Sequence, residues 1–292
     1  MTKKLSGKVA LVTGGSRGIG AASARALAGE GASVAISYVA SPDKAEAVVA
    51  ELKAKGVQAR AYKADQASST EVERLVNEVA KDFGRLDILV NNAGGYEEPV
   101  FPDAPVAHWT SALDLNLRSA MLAIHHAVGA MGARSGAIIN VASSAGLGLA
   151  PHPGPEYAAA KSALMRLTAC LAPLVERGIR VNCVCPHTVG TEAVRRTIAE
   201  LTAAGQELPA PLRDPLLEPE QVADAVIELL RDERLAGRVI VCRGGEPRRL
   251  LSTGTEVDAP PPQASGDGDA DGYRGGQRDP QGLGSCGRDL LG

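Results

Sequence analysis

The chain has 292 residues, enough for one large domain with a substantial buried core. Its formal net charge of -3 gives no support for nucleic acid or an anionic membrane as a partner. Apolar residues make up 45 % of the chain and aromatic residues only 3 %, so we expect a core of Ala, Val, Leu and Ile.

The N-terminal segment "MTKKLSGKVALVTGG" carries two lysines, and its short apolar run breaks at Gly14. Such a run predicts neither a signal peptide nor a membrane span, and we expect a cytoplasmic protein. The cysteines lack zinc-type spacing and mostly lie in apolar segments, which favours buried reduced thiols over a redox role. They are Cys170, Cys183, Cys185, Cys242 and Cys286.

Seven short β-branched segments alternate with Ala- and Glu-rich segments of helical period, the pattern of parallel strands joined by crossover helices. The predicted strands are residues 8–14, 33–38, 57–62, 86–91, 136–143, 179–185 and 238–245. Most are continuous apolar runs, which indicates a sheet covered on both faces. The prediction is an α/β fold, a single Rossmann-type, doubly wound, seven-stranded parallel sheet with helices on both faces. Its ligand crevice is expected at the carboxyl ends of the strands.

The segment "TGGSRGIG", residues 13–20, follows the first predicted strand and opens the first helix. Its glycines at 14, 18 and 20 permit a tight turn and the approach of a pyrophosphate to the helix N-terminus. A plain strand-to-helix turn also uses glycine, so the motif alone is weak evidence. Its place between a strand and a helix favours phosphate binding.

Tyr157 and Lys161 are separated by three alanines in "PEYAAAK". Residues four apart share one helix face, so the two side chains can approach a common ligand. A phenol titrates near about 10 in water, and an adjacent ammonium would lower that pKa. Tyr157 would then serve as a general acid in reduction or a general base in oxidation. A Tyr-x3-Lys pattern by itself also recurs by chance on helix surfaces.

Three motifs in this order, the Gly-x3-Gly-x-Gly loop, "NNAG" at 91–94 and "YAAAK" at 157–161, resemble the short-chain dehydrogenase/reductase family. The resemblance is to its 3-oxoacyl reductase type and extends from about residue 5 to 251. It implies hydride transfer between a nicotinamide and a carbonyl or alcohol. The catalytic residues that it implies are Asn116, Ser144, Tyr157 and Lys161.

The resemblance also implies a role for each of these side chains. Ser144 lies thirteen residues before Tyr157, the separation found in the family, and its hydroxyl would stabilise negative charge on the substrate oxygen. Ser143 is the alternative. Lys161 would hold the nicotinamide ribose. The backbone carbonyl of Asn116 would hold a water that links Lys161 to solvent, with a capping or solvent-facing role as the alternative.

The end of the second strand bears on the choice of cofactor. An acidic residue there would bind the adenosine ribose and repel a 2′-phosphate, but this chain has Tyr38. Arg17 is the kind of cation that pairs with a phosphate, although it could also be a solvated surface arginine. We therefore expect NADP, with NAD as the less favoured choice. The resemblance also implies that Asp65 binds the adenine amino group. The full set of expected cofactor-binding residues is Gly14, Ser16, Arg17, Gly18, Ile19, Gly20, Tyr38, Asp65, Asn92, Ala93, Gly94, Tyr157, Lys161, Pro186, Val189 and Thr191.

The chain departs from the family pattern at several places after the sixth strand. His187 replaces the usual glycine after Pro186, and it could narrow the pocket or contact the substrate. Residues 192–218 are expected to form a mobile lid. Arg195 and Arg196 in that lid could meet an anionic substrate, although a solvated helix face is favoured. Arg243 stands where the family usually has an acidic residue, in a region that related proteins often use for packing between subunits. We still expect a homotetramer or a dimer.

The sequence predicts an NADP-dependent oxidoreductase and, within that class, favours a ketoreductase acting on a 3-oxoacyl or other small carbonyl compound. An alcohol or sugar dehydrogenase using NAD(P) is the alternative within the enzyme class, and a catalytically silent nucleotide-binding sensor or scaffold is the alternative outside it. No metal is expected, because the five histidines show no ligand spacing on one helix face.

The composition changes after Leu251. Residues 252–292 contain no Ile, Phe, Met or Trp and are rich in Gly, Pro and Asp. Such a segment buries too little apolar surface to offset the entropy of ordering it. We therefore predict a domain over 1–251 and a disordered low-complexity tail over 252–292, with a small second domain as the alternative.

Overall fold

The computed structural model describes residues 3–95, 103–148 and 152–252. Its strands are β1 (Val9–Val12), β2 (Ser33–Tyr38), β3 (Ala59–Lys63), β4 (Ile88–Asn91), β5 (Gly136–Val141), β6 (Ile179–Pro186), β7 (Val239–Cys242) and β8 (Arg249–Leu250). Its α-helices are α1 (Gly18–Gly29), α2 (Pro42–Ala54), α3 (Ser69–Phe83), α4 (Val106–Leu113), α5 (Ser119–Met131), α6 (Pro155–Cys170), α7 (Glu192–Ala203), α8 (Ala210–Arg213) and α9 (Pro219–Arg231). A π-helical turn covers Asp114–Arg118, and 3-10 turns cover Ser144–Gly146 and Ala172–Arg177.

The strands form one sheet in the order β3-β2-β1-β4-β5-β6-β7-β8. The central strand β1 pairs in parallel with β2 and β4, so that Leu11 faces Ala35 on one side and Leu89 on the other. The order reverses beside β1, which brings the loops after β1 and β4 together at the carboxyl edge of the sheet. This arrangement confirms the predicted doubly wound α/β fold.

The sheet has one strand more than predicted, and that strand is antiparallel. Ile240 of β7 pairs with Leu250 of β8, and Val241 pairs with Arg249. The seventh strand was predicted to reach residue 245 but ends at Cys242. The chain reverses just beyond it, where Gly245 has a φ of 75° that favours glycine.

Helices cover both faces of the sheet, and the strands are apolar on both sides for this reason. Ala10 and Val12 of β1 belong to a buried cluster with residues of α1, α2 and α9. Val9 and Leu11 belong to a second cluster with residues of α3 and α5. Successive strand residues point to opposite faces, so a sheet buried on both sides needs an unbroken apolar run.

Within the described residues, no helix is long and apolar enough to cross a membrane. Apart from Ser252, the predicted tail lies outside the described residues, so the disorder assigned to it remains a prediction.

Candidate active site

The glycine loop after β1 is shaped by close backbone contacts. Gly14 and Gly18 have φ values of 64° and 53°, in the left-handed region that favours glycine. A Cβ on Gly20 would lie 2.3 Å from the Gly14 carbonyl oxygen. Arg17 occupies the N-cap of α1 and makes no side-chain capping hydrogen bond there. The loop therefore leads directly into a helix N-terminus whose amides can face an anion.

The loop after β4 braces the glycine loop. The Asn92 side-chain amide donates to the carbonyl oxygens of Thr13, at 2.9 Å, and Gly14, at 3.1 Å. The backbone N–H groups of Asn92 and Ala93 both donate to the Thr13 hydroxyl at 3.0 Å. The Asn92 amide thus fixes the shape of the glycine loop, the cradle expected to hold the pyrophosphate. The Thr13 hydroxyl also holds the two loops together. The sequence alone does not predict this role, because a buried threonine at a strand end carries no distinctive pattern.

The residues expected at the adenosine end lie at the carboxyl ends of β2 and β3. Tyr38 ends β2, and its half-buried side chain packs against the core cluster of α1. Asp65 is exposed just beyond β3, where its Oδ1 accepts a hydrogen bond of 2.9 Å from the Ala67 N–H. Ser37, another residue without a distinctive pattern, supports the loop through a hydrogen bond of 3.2 Å from the Gly14 N–H to its hydroxyl.

Asn116 lies in the π-helical turn between α4 and α5 and is buried. Its Nδ2 donates to the Gly95 carbonyl at 2.9 Å, and its Oδ1 accepts from the Gly95 N–H at 3.0 Å. A Cβ on Gly94 would lie 2.7 Å from Asn116 Oδ1 and 3.0 Å from Lys161 Nζ. Gly94, Asn116 and Lys161 therefore converge. A π turn interrupts the regular helical hydrogen-bond pattern and is frequent at functional sites.

The structure favours Ser143 over the predicted Ser144 as the serine beside Tyr157. The Ser143 hydroxyl hydrogen-bonds the Tyr157 phenol. Ser143 is the N-cap of the 3-10 turn that Ser144 begins, and its Oγ accepts a hydrogen bond of 3.2 Å from the Ala145 N–H. The difference has a geometric reason, because counting residues back from Tyr157 cannot show which of two adjacent hydroxyls the tight turn directs toward the phenol.

Tyr157 and Lys161 share one side of α6, as their spacing predicts. Lys161 is buried, its Nζ lies 5.6 Å from the centroid of the Tyr157 ring, and it donates to the Val141 carbonyl at 3.0 Å. A Cβ on Gly146 would lie 2.4 Å from the Ser162 N atom, so the loop after β5 packs directly on the backbone of α6. This contact holds the serines against the tyrosine and the lysine.

The electrostatics of this pair differ from the expectation. Burial raises the pKa of the Tyr157 phenol, and the hydrogen bond from Ser143 opposes that rise. Burial lowers the pKa of Lys161 to about 8. The predicted lowering of the phenol pKa by the ammonium is therefore not found in the chain alone, because burial raises the pKa of Tyr157 by more than the Ser143 hydrogen bond lowers it.

The chain after β6 borders the glycine loop. Pro186 ends β6, Val189 is buried and Thr191 caps α7 through a hydrogen bond of 3.4 Å from the Val194 N–H. A Cβ on Gly18 would lie 3.3 Å from the Thr191 side chain, which places the start of α7 against the glycine loop. His187 is half-buried, and its backbone N–H donates to Cys242.

Residues 192–218, the expected lid, contain α7 and α8. Arg195 donates to the Gly190 carbonyl at 2.9 Å and forms an ion pair with Glu218. Arg196 lies 3.8 Å from Glu200 on the same helix. Both arginines therefore have partners within the chain.

The remaining expected cofactor contacts lie around the same edge of the sheet. Ser16 is half-buried in the glycine loop, and Ile19 packs partly against the core beneath it. The structure thus brings the glycine loop, the loop after β4, the serine pair and the Tyr157–Lys161 pair to one edge of the sheet.

A comparison with known families agrees with this geometry. The family model described as short chain dehydrogenase matches residues 8–201. An uncharacterized oxidoreductase of Methylorubrum extorquens is 38 % identical over 250 residues, covering 83 % of this chain and 98 % of that protein. A 3-oxoacyl-[acyl-carrier-protein] reductase of Staphylococcus epidermidis is 38 % identical over 252 residues, covering 82 % of this chain and 98 % of that protein.

Solved structures show the same likeness. A short chain dehydrogenase from Burkholderia cenocepacia in complex with NADP aligns with a TM-score of 0.72 at 35 % identity, covering 83 % of this chain and 98 % of that one. A blue fluorescent protein from a metagenomic library in complex with NADPH aligns with a TM-score of 0.72 at 36 % identity, covering 83 % and 98 %. The fold, the site and these similarities together show that the chain belongs to the short-chain dehydrogenase/reductase family.

Proposed function

We propose that the protein is an NADP-dependent ketoreductase acting on a 3-oxoacyl or other small carbonyl compound. The observation that carries the proposal is the convergence of Ser143, Tyr157 and Lys161 beside a glycine loop that can hold a dinucleotide. The names of the relatives support the substrate class, since a 3-oxoacyl-[acyl-carrier-protein] reductase is among them.

The residues of the cleft fit an NADP molecule. A Cβ on Gly20 would collide with the Gly14 carbonyl, so only glycine preserves the cradle that a pyrophosphate needs. Tyr38 at the end of β2 brings no negative charge against a 2′-phosphate, and Arg17 offers an exposed positive charge in the loop. Asp65 would hold the adenine, and Lys161 the nicotinamide ribose. When bound, NADP supplies the hydride donor for reduction or the hydride acceptor for oxidation.

The chain's own residues handle the proton and the charge on the substrate oxygen. Tyr157 donates its phenolic proton to that oxygen during reduction and takes a proton from it during oxidation. The Ser143 hydroxyl donates a hydrogen bond to the same oxygen as negative charge develops there. Lys161, when protonated, favours the phenolate that Tyr157 becomes after donating its proton. We assign to the Asn116 carbonyl a water that connects Lys161 to solvent.

Steady-state kinetics with a panel of substrates tests this function. We expect turnover of a 3-oxoacyl thioester or a small ketone with NADPH that exceeds the turnover of alcohols and sugars with NADP⁺. Greater turnover of the alcohols or sugars would replace the ketoreductase with a dehydrogenase running in the oxidative direction. Absence of turnover with any nicotinamide cofactor would refute both.

A tyrosine variant tests the chemistry within that function. Tyr157→Phe removes the proton donor and should lower kcat by at least about 100-fold, with little change in the Kd for NADPH. Tyr62→Phe is the matched control. Tyr62 lies on β3, and its hydroxyl donates a hydrogen bond to Asp82 on α3, away from the site. Full turnover by Tyr157→Phe would contradict the assignment.

We further infer that the protein acts in the cytoplasm as a homo-oligomer, a tetramer or a dimer. Met121, on α5, leaves 48 % of its surface exposed, and Leu113, at the end of α4, leaves 39 % exposed. Exposed apolar side chains of this size are candidates for burial between subunits. Light scattering on the purified protein tests the inference, and a monomer at micromolar concentration would refute it.

A further inference from the structure

An ion pair joins the starts of two helices, α2 and α7. Lys44 lies in the first turn of α2, and Glu192 is the first residue of α7. Lys44 Nζ donates to Glu192 Oε2 at 2.6 Å, although the residues are 148 positions apart in the chain. The residue before Glu192, Thr191, lies against the glycine loop, because a Cβ on Gly18 would be 3.3 Å from its side chain. The pair therefore lies beside the glycine loop proposed to hold the cofactor.

Glu192 lies among positive charges. The hydrogen bond from Lys44 is the main cause of a lowered pKa of the Glu192 carboxyl, and the charges of Lys44, Arg196 and Arg17 act in the same direction. One of these cations, Arg17, belongs to the loop assigned to the cofactor phosphates. The Glu192 carboxylate therefore lies in the positive electrostatic field that would attract a cofactor phosphate.

Lys44 and Glu192 are both exposed enough to give up each other for another ionic partner. The side chain of Lys44 is 47 % exposed and that of Glu192 is 68 % exposed. An exposed ion pair of this kind contributes little stability because water and salt screen it. A phosphate monoester carries more negative charge than a carboxylate and three acceptor oxygens. It can therefore displace Glu192 from Lys44.

We propose that Lys44 binds the adenosine 2′-phosphate of NADP and that Glu192 is its internal competitor in the cofactor-free protein. The inference rests on the proposed function, because it assigns residues to the phosphate of that cofactor. NADH lacks the phosphate and leaves the Lys44–Glu192 pair intact. Exchange of the pair therefore discriminates between the two cofactors and frees the start of α7 when NADPH binds.

Equilibrium binding of NADPH and NADH to the full chain, followed by nucleotide fluorescence, tests the proposal without measuring turnover. Lys44→Gln should weaken NADPH binding about tenfold, the scale of one charge-assisted hydrogen bond at an exposed site, and leave NADH nearly unchanged. Glu192→Gln should strengthen NADPH binding about threefold, because an exposed competitor is removed, again without effect on NADH.

The matched control is Lys53→Gln, which removes one positive charge from the last turn of the same helix. It should leave both affinities within experimental error of the wild type. The double variant Lys44→Gln with Glu192→Gln should bind NADPH as Lys44→Gln does, because a competitor has no effect once its target is gone.

Three outcomes would overturn the proposal. They are Glu192→Gln leaving NADPH affinity unchanged or weaker, Lys44→Gln behaving as Lys53→Gln does, and the effect of Glu192→Gln persisting in the Lys44→Gln background. A wild-type chain that binds neither nucleotide would instead refute the proposed function, so the two failures are distinguishable.

Discussion

The hydroxyl of Ser143 lies where the chain leaves β5 and enters a 3-10 turn. At that position its oxygen accepts a hydrogen bond from the Ala145 N–H, and the hydroxyl hydrogen-bonds the Tyr157 phenol. A hydroxyl held from two sides is oriented before the substrate arrives, which is the condition for effective stabilisation of developing charge.

The position of Ser143 predicts unequal effects of two neighbouring substitutions. Ser143→Ala should lower kcat by at least about 100-fold, the scale for removing one donor to a developing oxyanion, whereas Ser144→Ala should lower it less than about threefold. Steady-state kinetics of the two variants with the same ketone and NADPH measures the difference. The reverse order would restore Ser144 as the catalytic serine.

Lys161 carries a buried ammonium whose pKa is about 8 in the folded chain, below its ordinary value of 10.5. Burial is the main cause, because the charged form loses its hydration. In the unfolded chain the group is hydrated and keeps its proton to higher pH. Between these two values the unfolded state binds one more proton than the folded state, so this group makes stability rise with pH.

Lys161→Met therefore removes a pH dependence. Between pH 8 and pH 9.5 the free energy of unfolding of the wild type should rise relative to that of the variant by up to about 1.4 kcal/mol per pH unit. Urea denaturation of both proteins across this range, without cofactor, measures the difference. Parallel curves would show that Lys161 keeps its proton in the folded chain.

At the scale of elements, the carboxyl ends of β1 and β4 form one rigid unit. Asn92 and Thr13 tie the loop after β4 to the glycine loop, and Gly20 at the start of α1 packs against the Gly14 carbonyl. The position of the cradle thus depends on contacts between elements as much as on the glycines themselves. A displacement of about 1 Å in such a site can cost about 100-fold in function.

Two alanine substitutions on α1 separate this packing from helix propensity. Gly20→Ala should raise the Kd for NADPH at least about tenfold, because the new methyl group must displace the Gly14 carbonyl or the helix. Gly29→Ala meets no atom within 4 Å and should leave the Kd unchanged, with a stabilisation of up to about 1 kcal/mol. Fluorescence titration and thermal unfolding measure both quantities. Unchanged NADPH affinity in Gly20→Ala would contradict the close packing.

At the scale of the whole molecule, the C-terminal part of the described chain closes one edge of the sheet. The Leu251 N–H donates to the Val239 carbonyl at 2.8 Å, and Arg238 donates to the Leu251 carbonyl at 3.1 Å. Leu251 also packs against the buried cluster of β6 and β7. Strand β8 therefore covers the backbone groups of β7 that would otherwise be an open edge.

Two truncations test where the folded domain ends. A chain ending at Leu251 should keep its activity and shift the Tm by less than about 2 °C, because it retains β8 and removes only the predicted tail. A chain ending at Pro247 loses β8 and should melt at least about 3 °C lower. A collapse of Tm or activity in the longer chain would show that residues after Leu251 pack against the domain.

Several parts of the site could be predicted from local pattern. Helical spacing predicted that Tyr157 and Lys161 share one helix face, and the cradle at Gly14 and Gly20 follows from the need for glycine where a backbone approaches a phosphate. The brace made by Thr13 could not be predicted, because its hydroxyl acts on residues about 80 positions away in the chain. The ion pair of Lys44 with Glu192 has the same long-range character.

The sequence by itself determined the class of fold, the order of the strands along the chain and the spacing that puts Tyr157 and Lys161 on one helix face. These depend on hydrophobic periodicity and on short spacings along the chain, which determine local structure without contacts between distant residues. Only the tertiary structure decided that Ser143 contacts the phenol, that burial governs the pKa values of Tyr157 and Lys161, and that β8 closes the sheet. Each of these depends on which groups meet after the chain has folded, and on the water that folding removes from around them.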